Sequence, residues 1–406
     1  MKAGSGTVAS VENPAAPARS CRHIVTCEYP PSLGGVSDYT RAIARELALH
    51  RDEVHVWAPG DSGVEAGSAD VTIHRTLGGF EPWHLLRCGR ELNRFTAPRR
   101  ILVQWVPHGY GYRSMNLALC VWLWVRSVFS RDCIEVMVHE PHLGFGEGSW
   151  QQNVAAAIHR VMDLVLLRAA KRVFISTPLW EPELRPYAPR GLQFEWLPVP
   201  TNIRVNPKPD VIEAVRREYL QGGGVLLGHF GTHNPLVTGM LEAVLPGVAR
   251  RNANCNFLLM GAGSAKFRER LLHRHPDLHG RVHATGSISG DLISSHIAAC
   301  DLMLQPYPDG VSTRRTTTMA ALVHGCPVVT TTGLSTEPVW LTSSGVALAP
   351  ASDCDALVEA VSQLCSNSDL RRDLGARGKA LYAARFDIAH IIDQIAGRPT
   401  AEGVTK

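Results

Sequence analysis

Two adjacent arginines stand in a loop between an apolar, strand-like run and a predicted helix. The loop reads Pro308-Asp309-Gly310-Val311-Ser312-Thr313-Arg314-Arg315-Thr316-Thr317-Thr318 and continues into Met319-Ala320-Ala321-Leu322-Val323-His324-Gly325. Free amide groups and a positive dipole end make a helix N-terminus a natural anion site. Arginine side chains there add forked donors for phosphate oxygens. The sequence therefore predicts an anion site. The alternative is a capped helix with solvated arginines, which is the commoner role of any single such loop.

The segments around this loop have the pattern of a parallel α/β domain. Apolar runs with glycine or polar turns at their ends start at Val225, Asn256, Arg281, Asp301 and Pro327. Helical patterns cover residues 236–248 and 293–299 between them. Repeated strands and helices with glycine at the strand exits predict a Rossmann-like domain.

The first half of the chain repeats this pattern. A strand at His23–Thr26, a loop containing Gly34 and Gly35, a helix from Ser37 and a strand at Glu53–Ala58 form a predicted parallel βαβ unit. The two glycines let the backbone approach a ligand where a Cβ would collide.

Three histidines follow two further predicted strands of this half. His108 follows the run from Ile101, and His139 and His142 follow the run from Ile134. The carboxyl ends of parallel strands are where open α/β sheets bind ligands. For an isolated histidine, a hydrogen-bonded structural role is the alternative and the commoner one.

The order of these features resembles family 4 glycosyltransferases. In the first half the resemblance rests on Pro30-Pro31-x-x-Gly34-Gly35-Val36-x-x-Tyr39, Glu53-Val54-His55-Val56 and His139-Glu140-Pro141. In the second half it covers about residues 225–332, where six features arrive in the family's order. It implies a GT-B fold, with two Rossmann-like domains facing each other across a cleft. The domains implied are a disordered leader at 1–20, an acceptor-binding domain at 21–203, a donor-binding domain at 204–385, and a C-terminal segment at 386–406 whose helix crosses back to the first domain.

The resemblance also implies an activity and a set of site residues. The activity is metal-independent hexosyl transfer, with retention of configuration, from a UDP- or GDP-sugar to a sugar, lipid-linked or small-molecule acceptor in glycoconjugate biosynthesis, without a cofactor. His139 is expected to contact the donor sugar, and His108 and His142 to line the cleft. The expected donor-binding positions are Gly34, Gly35, Gly231, Thr232, Gly261, Ser287, Ile288, Gly310, Val311, Ser312, Thr313, Thr316 and Thr317.

The sequence departs from the family pattern at two functional positions. The family's Glu-x7-Glu pair would fall on Ser312 and Ala320, so both carboxylates are absent. The Arg and Lys that usually follow the first donor-domain strand are missing from residues 231–234. Arg314 and Arg315 are therefore expected to supply the charge for a diphosphate, and Asp309 to replace a carboxylate that holds sugar hydroxyls. The loop resembles that of a branch of the family with an Asp-Gly-x-Ser-x-Arg-Arg motif.

Composition narrows the class of protein. The 406 residues suffice for two domains, and a formal charge of 41 − 37 = +4 argues against a nucleic-acid binder. Ten cysteines without a Cys-x-x-Cys pair predict a reducing cytosol and no structural metal.

Membrane contact and location are a separate question. The longest apolar run, residues 117–125, is shorter than the ~20 residues of a spanning helix. Cytoplasmic location follows as the expectation, either without membrane contact or with a weak surface contact near the aromatic run from Trp105 to Trp124. A monomer and a dimer both remain open.

Two other functions remain open at this stage. The same two-domain scaffold serves nucleotide-sugar epimerases and phosphorylases. A protein that binds a nucleotide sugar without transferring it is the non-enzymatic alternative, since the usual glutamate pair is absent.

Overall fold

The computed structural model describes residues 20–397, apart from residues 33, 68–70, 147 and 221–222. Nearly all of the predicted leader at 1–20, and the tail after residue 397, lie outside the described residues.

The first half of the chain forms an eight-stranded sheet. Its strands run in the order β3-β4-β2-β1-β5-β6-β7-β8, and all neighbours are parallel except the antiparallel pair β3 and β4. The strands are β1 (Cys21–Val25), β2 (Glu53–Ala58), β3 (Gly63–Ala66), β4 (Val71–Arg75), β5 (Arg100–Trp105), β6 (Cys133–Val138), β7 (Ala170–Ile175) and β8 (Phe194–Trp196).

Helices follow the strands of this sheet and cover it. They are α1 (Gly35–Leu49), α2 (Pro82–Leu92), α3 (Leu117–Phe129), α4 (Trp150–Ala169) and α5 (Trp180–Leu184), with short 3-10 turns at Pro107–Gly109, Tyr112–Ser114 and Arg185–Tyr187. Helix α4 starts with a capping box, in which the Ser149 side chain accepts from the Gln152 amide and the Gln152 side chain accepts from the Ser149 amide.

The second half forms a six-stranded, wholly parallel sheet. Its order is β11-β10-β9-β12-β13-β14, the doubly wound order in which the first strand lies inside the sheet. The strands are β9 (Val225–Phe230), β10 (Cys255–Met260), β11 (Val282–Gly286), β12 (Leu302–Gln305), β13 (Val328–Thr332) and β14 (Ala347–Pro350).

Nine helices belong to the described second half. They are α6 (Pro209–Tyr219), α7 (Pro235–Arg251), α8 (Ser264–Arg274), α9 (Gly290–Ala299), α10 (Thr316–Val323), α11 (Pro338–Thr342), α12 (Cys354–Ser366), α13 (Ser368–Arg385) and α14 (Ile388–Ala396), with a 3-10 turn at Pro276–Leu278. Helix α10 begins directly after the two arginines, with Arg315 at its N-cap position.

Apolar side chains cover both faces of each sheet and form four buried clusters. Helix α14, the last described helix, contributes Ile391, Ile392 and Ile395 to a cluster of the first sheet. The Arg22 and Arg172 side chains of that sheet donate to the last carbonyls of α14. The C-terminal segment is therefore fastened to the N-terminal half.

The α/β class with two parallel, Rossmann-like sheets is confirmed. The apolar run 117–125 lies in α3, which buries Leu119, Cys120 and Leu123 against the first sheet. No helix within the described residues is long and apolar enough to cross a membrane.

Candidate functional site

A cavity of about 180 Å³ lies at the switch point of the second sheet, where β9 and β12 run side by side. Ligands of doubly wound sheets bind at this point, outside the carboxyl ends of the strands. We call it the switch-point cavity. Its lining residues are His229, Phe230, Gly231, Thr232, Asn234, Val237, Gln305, Tyr307, Arg314, Arg315, Thr316 and Thr317.

A larger cleft of about 470 Å³ opens between the two halves of the chain, at the corresponding switch point between β1 and β5 of the first sheet. Its lining residues are Cys27, Glu28, Gly34, Gly35, Val36, Tyr39, Val106, His108, Gly109, His139, Glu140, Ser176, Val199, Arg314, Arg315 and Thr316. Arg314, Arg315 and Thr316 line both spaces, so the loop predicted from the sequence forms their common wall.

The Arg314 side chain crosses from the second half of the chain to the first. Its guanidinium carbon lies 4.6 Å from the centre of the Trp180 ring. Its buried Nε has no hydrogen-bond partner among the described residues. Burial, and then the charge of Arg315, lower the pKa of Arg314. A cation held beside a second cation, away from water, favours a bound anion.

Arg315 is held from two sides. It forms an ion pair with Asp309, and its guanidinium carbon lies 4.5 Å from the centre of the Tyr307 ring. The same Asp309 carboxylate accepts a hydrogen bond of 3.0 Å from Ser335 Oγ. Asp309 lines neither space described above, so in this geometry its carboxylate orients Arg315.

Thr313 fastens the loop to the first half of the chain. Its hydroxyl lies 2.9 Å from the Ser176 carbonyl oxygen and 3.2 Å from Trp196 Nε1, and its carbonyl accepts from the Val199 amide at 3.1 Å. Val311, Ser312 and Thr313, which were expected at the donor, are fully buried and line neither the switch-point cavity nor the cleft. The side chains of these residues pack in the protein interior and support the loop.

Glu337 is a residue that sequence reasoning missed. It is 2% exposed, and it accepts hydrogen bonds from the Thr313 amide at 3.0 Å and from Trp340 Nε1 at 2.9 Å. Glu337 Oε1 also lies 2.8 Å from the Thr313 hydroxyl oxygen. Its only sequence signal is a carboxylate just before Pro338 at the start of a helix.

The hydroxyls after the arginines have different surroundings. The Tyr307 hydroxyl forms hydrogen bonds with the hydroxyls of Thr317 at 2.8 Å and Thr318 at 2.9 Å. These bonds fix the first turn of α10 against the end of β12. Thr316 lines both the switch-point cavity and the cleft. The N-terminus of α10 therefore faces the space next to both guanidinium groups.

Two of the predicted glycines, Gly34 and Gly261, have no room for a Cβ. A Cβ on Gly34 would lie 2.1 Å from Glu28 Oε1, and Glu28 in turn accepts from the Ser37 amide at 2.9 Å. Gly35 faces open space in the cleft. Gly261 has a φ of 105°, and a Cβ there would lie 2.4 Å from the Gly231 carbonyl oxygen. Gly261 thus packs beneath the Gly231 turn.

Three further predicted donor positions lie apart from the two spaces. Gly310 packs against Gly333 at the base of the loop. Ser287 and Ile288 follow β11, and Ile288 packs against a core cluster of the second half. They line neither the cavity nor the cleft.

His139 lines the cleft, as its position after β6 predicts. Its Nε2 lies 2.7 Å from Gln104 Oε1, so the neutral ring carries its proton on Nε2 and offers Nδ1 as an acceptor. Burial lowers the pKa of His139 to about 3. The His139 carbonyl accepts from Trp180 Nε1 at 3.2 Å, so Trp180 touches both His139 and Arg314.

The other two histidines occupy different surroundings. His108 lines the cleft, with its Nδ1 3.5 Å from Glu140 Oε2. The expectation for His142 is wrong: its Nδ1 lies 2.8 Å from Asp163 Oδ2, and its side chain is 4% exposed. That buried pair makes His142 structural. Glu28 and Glu140, which sequence reasoning did not single out, add two carboxylates to the cleft.

Comparison with known proteins places this geometry in a known architecture. Residues 225–367, which include β9 to β14, match the family model described as Glycosyl transferases group 1. Sucrose-phosphate synthase from Thermosynechococcus elongatus superposes with a TM-score of 0.69 at 18% identity, covering 93% of this chain and 98% of that one. The chain has a GT-B fold.

Two further solved structures share the GT-B fold. Anabaena HepE, in complex with UDP and glucose, gives a TM-score of 0.66 at 17% identity, with 93% of this chain and 98% of that chain covered. WaaG, a glycosyltransferase involved in lipopolysaccharide biosynthesis, gives 0.60 at 15% identity, with 92% and 100% covered. No curated protein matches the chain significantly. The family model and the fold together support glycosyl transfer.

Proposed function

We propose that this protein is a retaining, metal-independent hexosyltransferase that moves a sugar from a nucleotide-diphosphate sugar to an acceptor hydroxyl. The observation that carries the proposal is the Arg314 side chain. Its Nε has no hydrogen-bond partner in the described part of the chain, and it borders both the switch-point cavity and the cleft. Arg315 and the N-terminus of α10 lie beside it. The diphosphate binds to these groups, with the nucleoside in the switch-point cavity and the sugar towards His139.

UDP-sugars and GDP-sugars are the donors proposed. Two relatives support UDP: one HepE structure is a complex with UDP-glucose, and the E. coli trehalose protein is bound with UDP-2-fluoro glucose. In the proposed complex, Gly231 and Thr232 approach the diphosphate, and Ser287 and Ile288 lie on the side of the base.

The chemistry asked of the site is stabilisation of the departing diphosphate. Preorganised cations and amides in a partly dry site supply it without a metal. The acceptor hydroxyl attacks on the face from which the diphosphate leaves, so no nucleophilic carboxylate is required. His139 is neutral at physiological pH because burial lowers its pKa to about 3. It therefore contacts the donor sugar through a hydrogen bond rather than acting as a strong base.

The acceptor binds in the cleft, on the side of the first half of the chain. Glu28, Glu140 and His108 present polar groups there that suit sugar hydroxyls.

A lipid-linked acceptor is supported by the outer face of α3, whose Val128 and Phe129 side chains are exposed. In that case the protein binds weakly to the cytoplasmic membrane face. Flotation with anionic liposomes tests this: the wild-type protein floats and Phe129→Ser does not, whereas an unbound wild-type protein contradicts it.

Measuring turnover of the nucleotide sugar distinguishes a glycosyltransferase from the alternative functions. We expect a screen of nucleotide sugars by thermal shift to find one stabilising donor, since a ligand that binds the native state raises its melting temperature. That donor is then hydrolysed slowly without acceptor. Stabilisation without turnover for any acceptor would instead indicate a binding protein. Release of an epimerised nucleotide sugar, or phosphate-dependent cleavage, would indicate an epimerase or a phosphorylase.

A further inference from the structure

Three side chains with metal-binding atoms meet at the amino ends of β1 and β2. One ligand atom each from Cys21, Glu53 and His55 lies within 4.8 Å of the other two, the single such group found in the described part of the chain. Cys21 lies beside Glu53 in the parallel register, and His23 lies beside His55. Because side chains two residues apart share a face of a strand, all four project from one face of the sheet. We call Cys21, Glu53 and His55 the Cys-Glu-His group.

This group is remote from the cleft. The cleft borders the opposite end of β1, where Cys27 and Glu28 line it. Six residues of extended chain separate Cys21 from Cys27, which is roughly 20 Å at the rise of a strand. The proposed glycosyl transfer therefore does not use the group.

The proton positions around Cys21 follow from Trp57, whose indole nitrogen can only donate. Trp57 Nε1 donates to His23 Nδ1 at 3.2 Å. Neutral His23 therefore carries its proton on Nε2, which lies 3.7 Å from Cys21 Sγ. His23 is thus not a metal ligand in this tautomer. Instead it aims its Nε2 proton at the sulfur. Burial, and then the charge of Glu53, raise the pKa of the Cys21 thiol to about 11, so a cation that binds there displaces the thiol proton.

His55 has an orienting partner behind it as well. Its Nε2 faces Glu53 Oε1 at 3.0 Å, and its Nδ1 faces His74 Nε2 at 3.0 Å. With a cation on Nε2, the Nδ1 proton is donated to His74. A ligating histidine normally uses its second nitrogen in this way. His74 stacks on Trp57 with ring centres 3.9 Å apart, so packing holds the His74 ring in place behind His55.

We propose that Cys21, Glu53 and His55 form a binding site for a single Zn²⁺-like divalent cation, with water as the fourth ligand. Thiolate, imidazole and carboxylate together suit zinc rather than Mg²⁺ or Ca²⁺. Tetrahedral ligand atoms at zinc lie roughly 3.3–3.8 Å apart. The three ligand atoms lie within 4.8 Å of one another, and Glu53 Oε1 is 3.0 Å from His55 Nε2, so small side-chain adjustments suffice on binding. The Glu53 side chain is 59% exposed, which leaves an entry path for the ion and room for water.

The cation links β1 to β2 at the end of the sheet away from the cleft. A cation that binds the native sheet and not the unfolded chain stabilises the fold by mass action. The proposed site is therefore structural, in contrast to the prediction of no structural metal from cysteine spacing. A chelator is expected to lower the melting temperature without removing a catalytic group.

Cobalt titration of the full chain, after chelator treatment, tests the site. We expect one equivalent of Co²⁺ to bind, with the near-ultraviolet charge-transfer absorption of a thiolate–Co²⁺ bond. Cys21→Ser abolishes that band, and His55→Gln weakens binding at least about tenfold. Cys133→Ser is the matched control, because Cys133 is also a half-buried cysteine at the first position of a strand in this sheet. It keeps the band.

Two results would overturn the proposal: no saturable Co²⁺ or Zn²⁺ binding by the wild-type protein, or an undiminished band in Cys21→Ser. If Cys21→Ser does not fold, Glu53→Gln replaces it, since its exposed side chain makes the substitution mild. Glu53→Gln is expected to weaken Zn²⁺ binding in calorimetry at least about tenfold, and unchanged affinity contradicts the site.

Discussion

The guanidinium of Arg314 lies 4.6 Å above the ring of Trp180, so a cation of the second half of the chain rests on an aromatic of the first. Trp180 also donates to the His139 carbonyl at 3.2 Å. One side chain therefore connects the predicted diphosphate cation with the predicted sugar-contacting histidine. This connection crosses the cleft, so its geometry depends on how the two halves of the chain are placed relative to each other.

Replacing Trp180 with leucine is expected to weaken donor binding. The stacking contact contributes about 0.5–2 kcal/mol, which corresponds to roughly a two- to thirtyfold loss of affinity. Calorimetric titration of the donor found by the thermal-shift screen measures it. Trp150→Leu is the control, since Trp150 is an exposed tryptophan at the start of α4. Equal donor affinity in folded Trp180→Leu and wild-type protein would show that the stacking does not hold Arg314.

Replacing Glu337 with alanine is expected to destabilise the fold by about 3 kcal/mol. The Thr313 amide and Trp340 Nε1 would lose a buried acceptor, and each unpaired buried donor costs about 1–3 kcal/mol. Urea unfolding measures the change. Glu359→Ala removes an exposed ion pair with Arg251 and serves as the control, with an expected loss below about 1 kcal/mol. A similarly small loss for Glu337→Ala would mean that the buried bonds do not hold the arginine loop.

Acid is expected to destabilise the protein partly through His229, which is 4% exposed. Burial lowers the pKa of His229 to about 3, from 6.5 in a model peptide. Below pH 6.5 the unfolded chain binds a proton at this residue and the native protein does not, so stability falls with falling pH until about pH 3. Between neutral pH and pH 5.5 the loss from this residue is about 1.4 kcal/mol.

Urea unfolding at pH 7.5, 6.5 and 5.5 detects this contribution as a slope. His229→Gln is expected to lose less stability than the wild-type protein over the same interval. His273→Gln, on the exposed side of α8, is the control and keeps the wild-type slope. Parallel slopes for His229→Gln and the wild-type protein would show that His229 does not contribute to acid destabilisation.

The sequence predicted those parts of the site that depend on local order along the chain. Asp301 to Gln305 reads as a strand and Thr316 onward as a helix, so Arg314 and Arg315 had to stand at a helix N-terminus beside a strand end. The two Rossmann-like domains followed similarly from repeated strand–turn–helix order, whereas the GT-B arrangement was implied by the resemblance to family 4 glycosyltransferases. His139 lines the cleft because it directly follows a parallel strand.

The remaining features depend on contacts between distant residues. Glu337 meets Thr313 across 24 positions, a contact that only the folded chain creates. His142 also follows a strand end, yet Asp163 of α4 draws its ring into a buried pair. Val311 and Ser312 were expected at a ligand because of their loop, whereas the loop curves so that their side chains face the core. Sequence order does not reveal which side of a loop is covered.

The most direct test of the central claim is calorimetric titration of UDP and GDP into the wild-type protein and the Arg314→Ala/Arg315→Ala variant. Arg217→Ala, which removes an exposed arginine of α6, is the matched control. Charged hydrogen bonds contribute about 1.5–3 kcal/mol each, so the double variant is predicted to bind the preferred nucleotide at least about a hundredfold more weakly than wild type. The control is predicted to bind it equally well. Unchanged affinity in a folded double variant would contradict the claim that these two arginines hold the diphosphate.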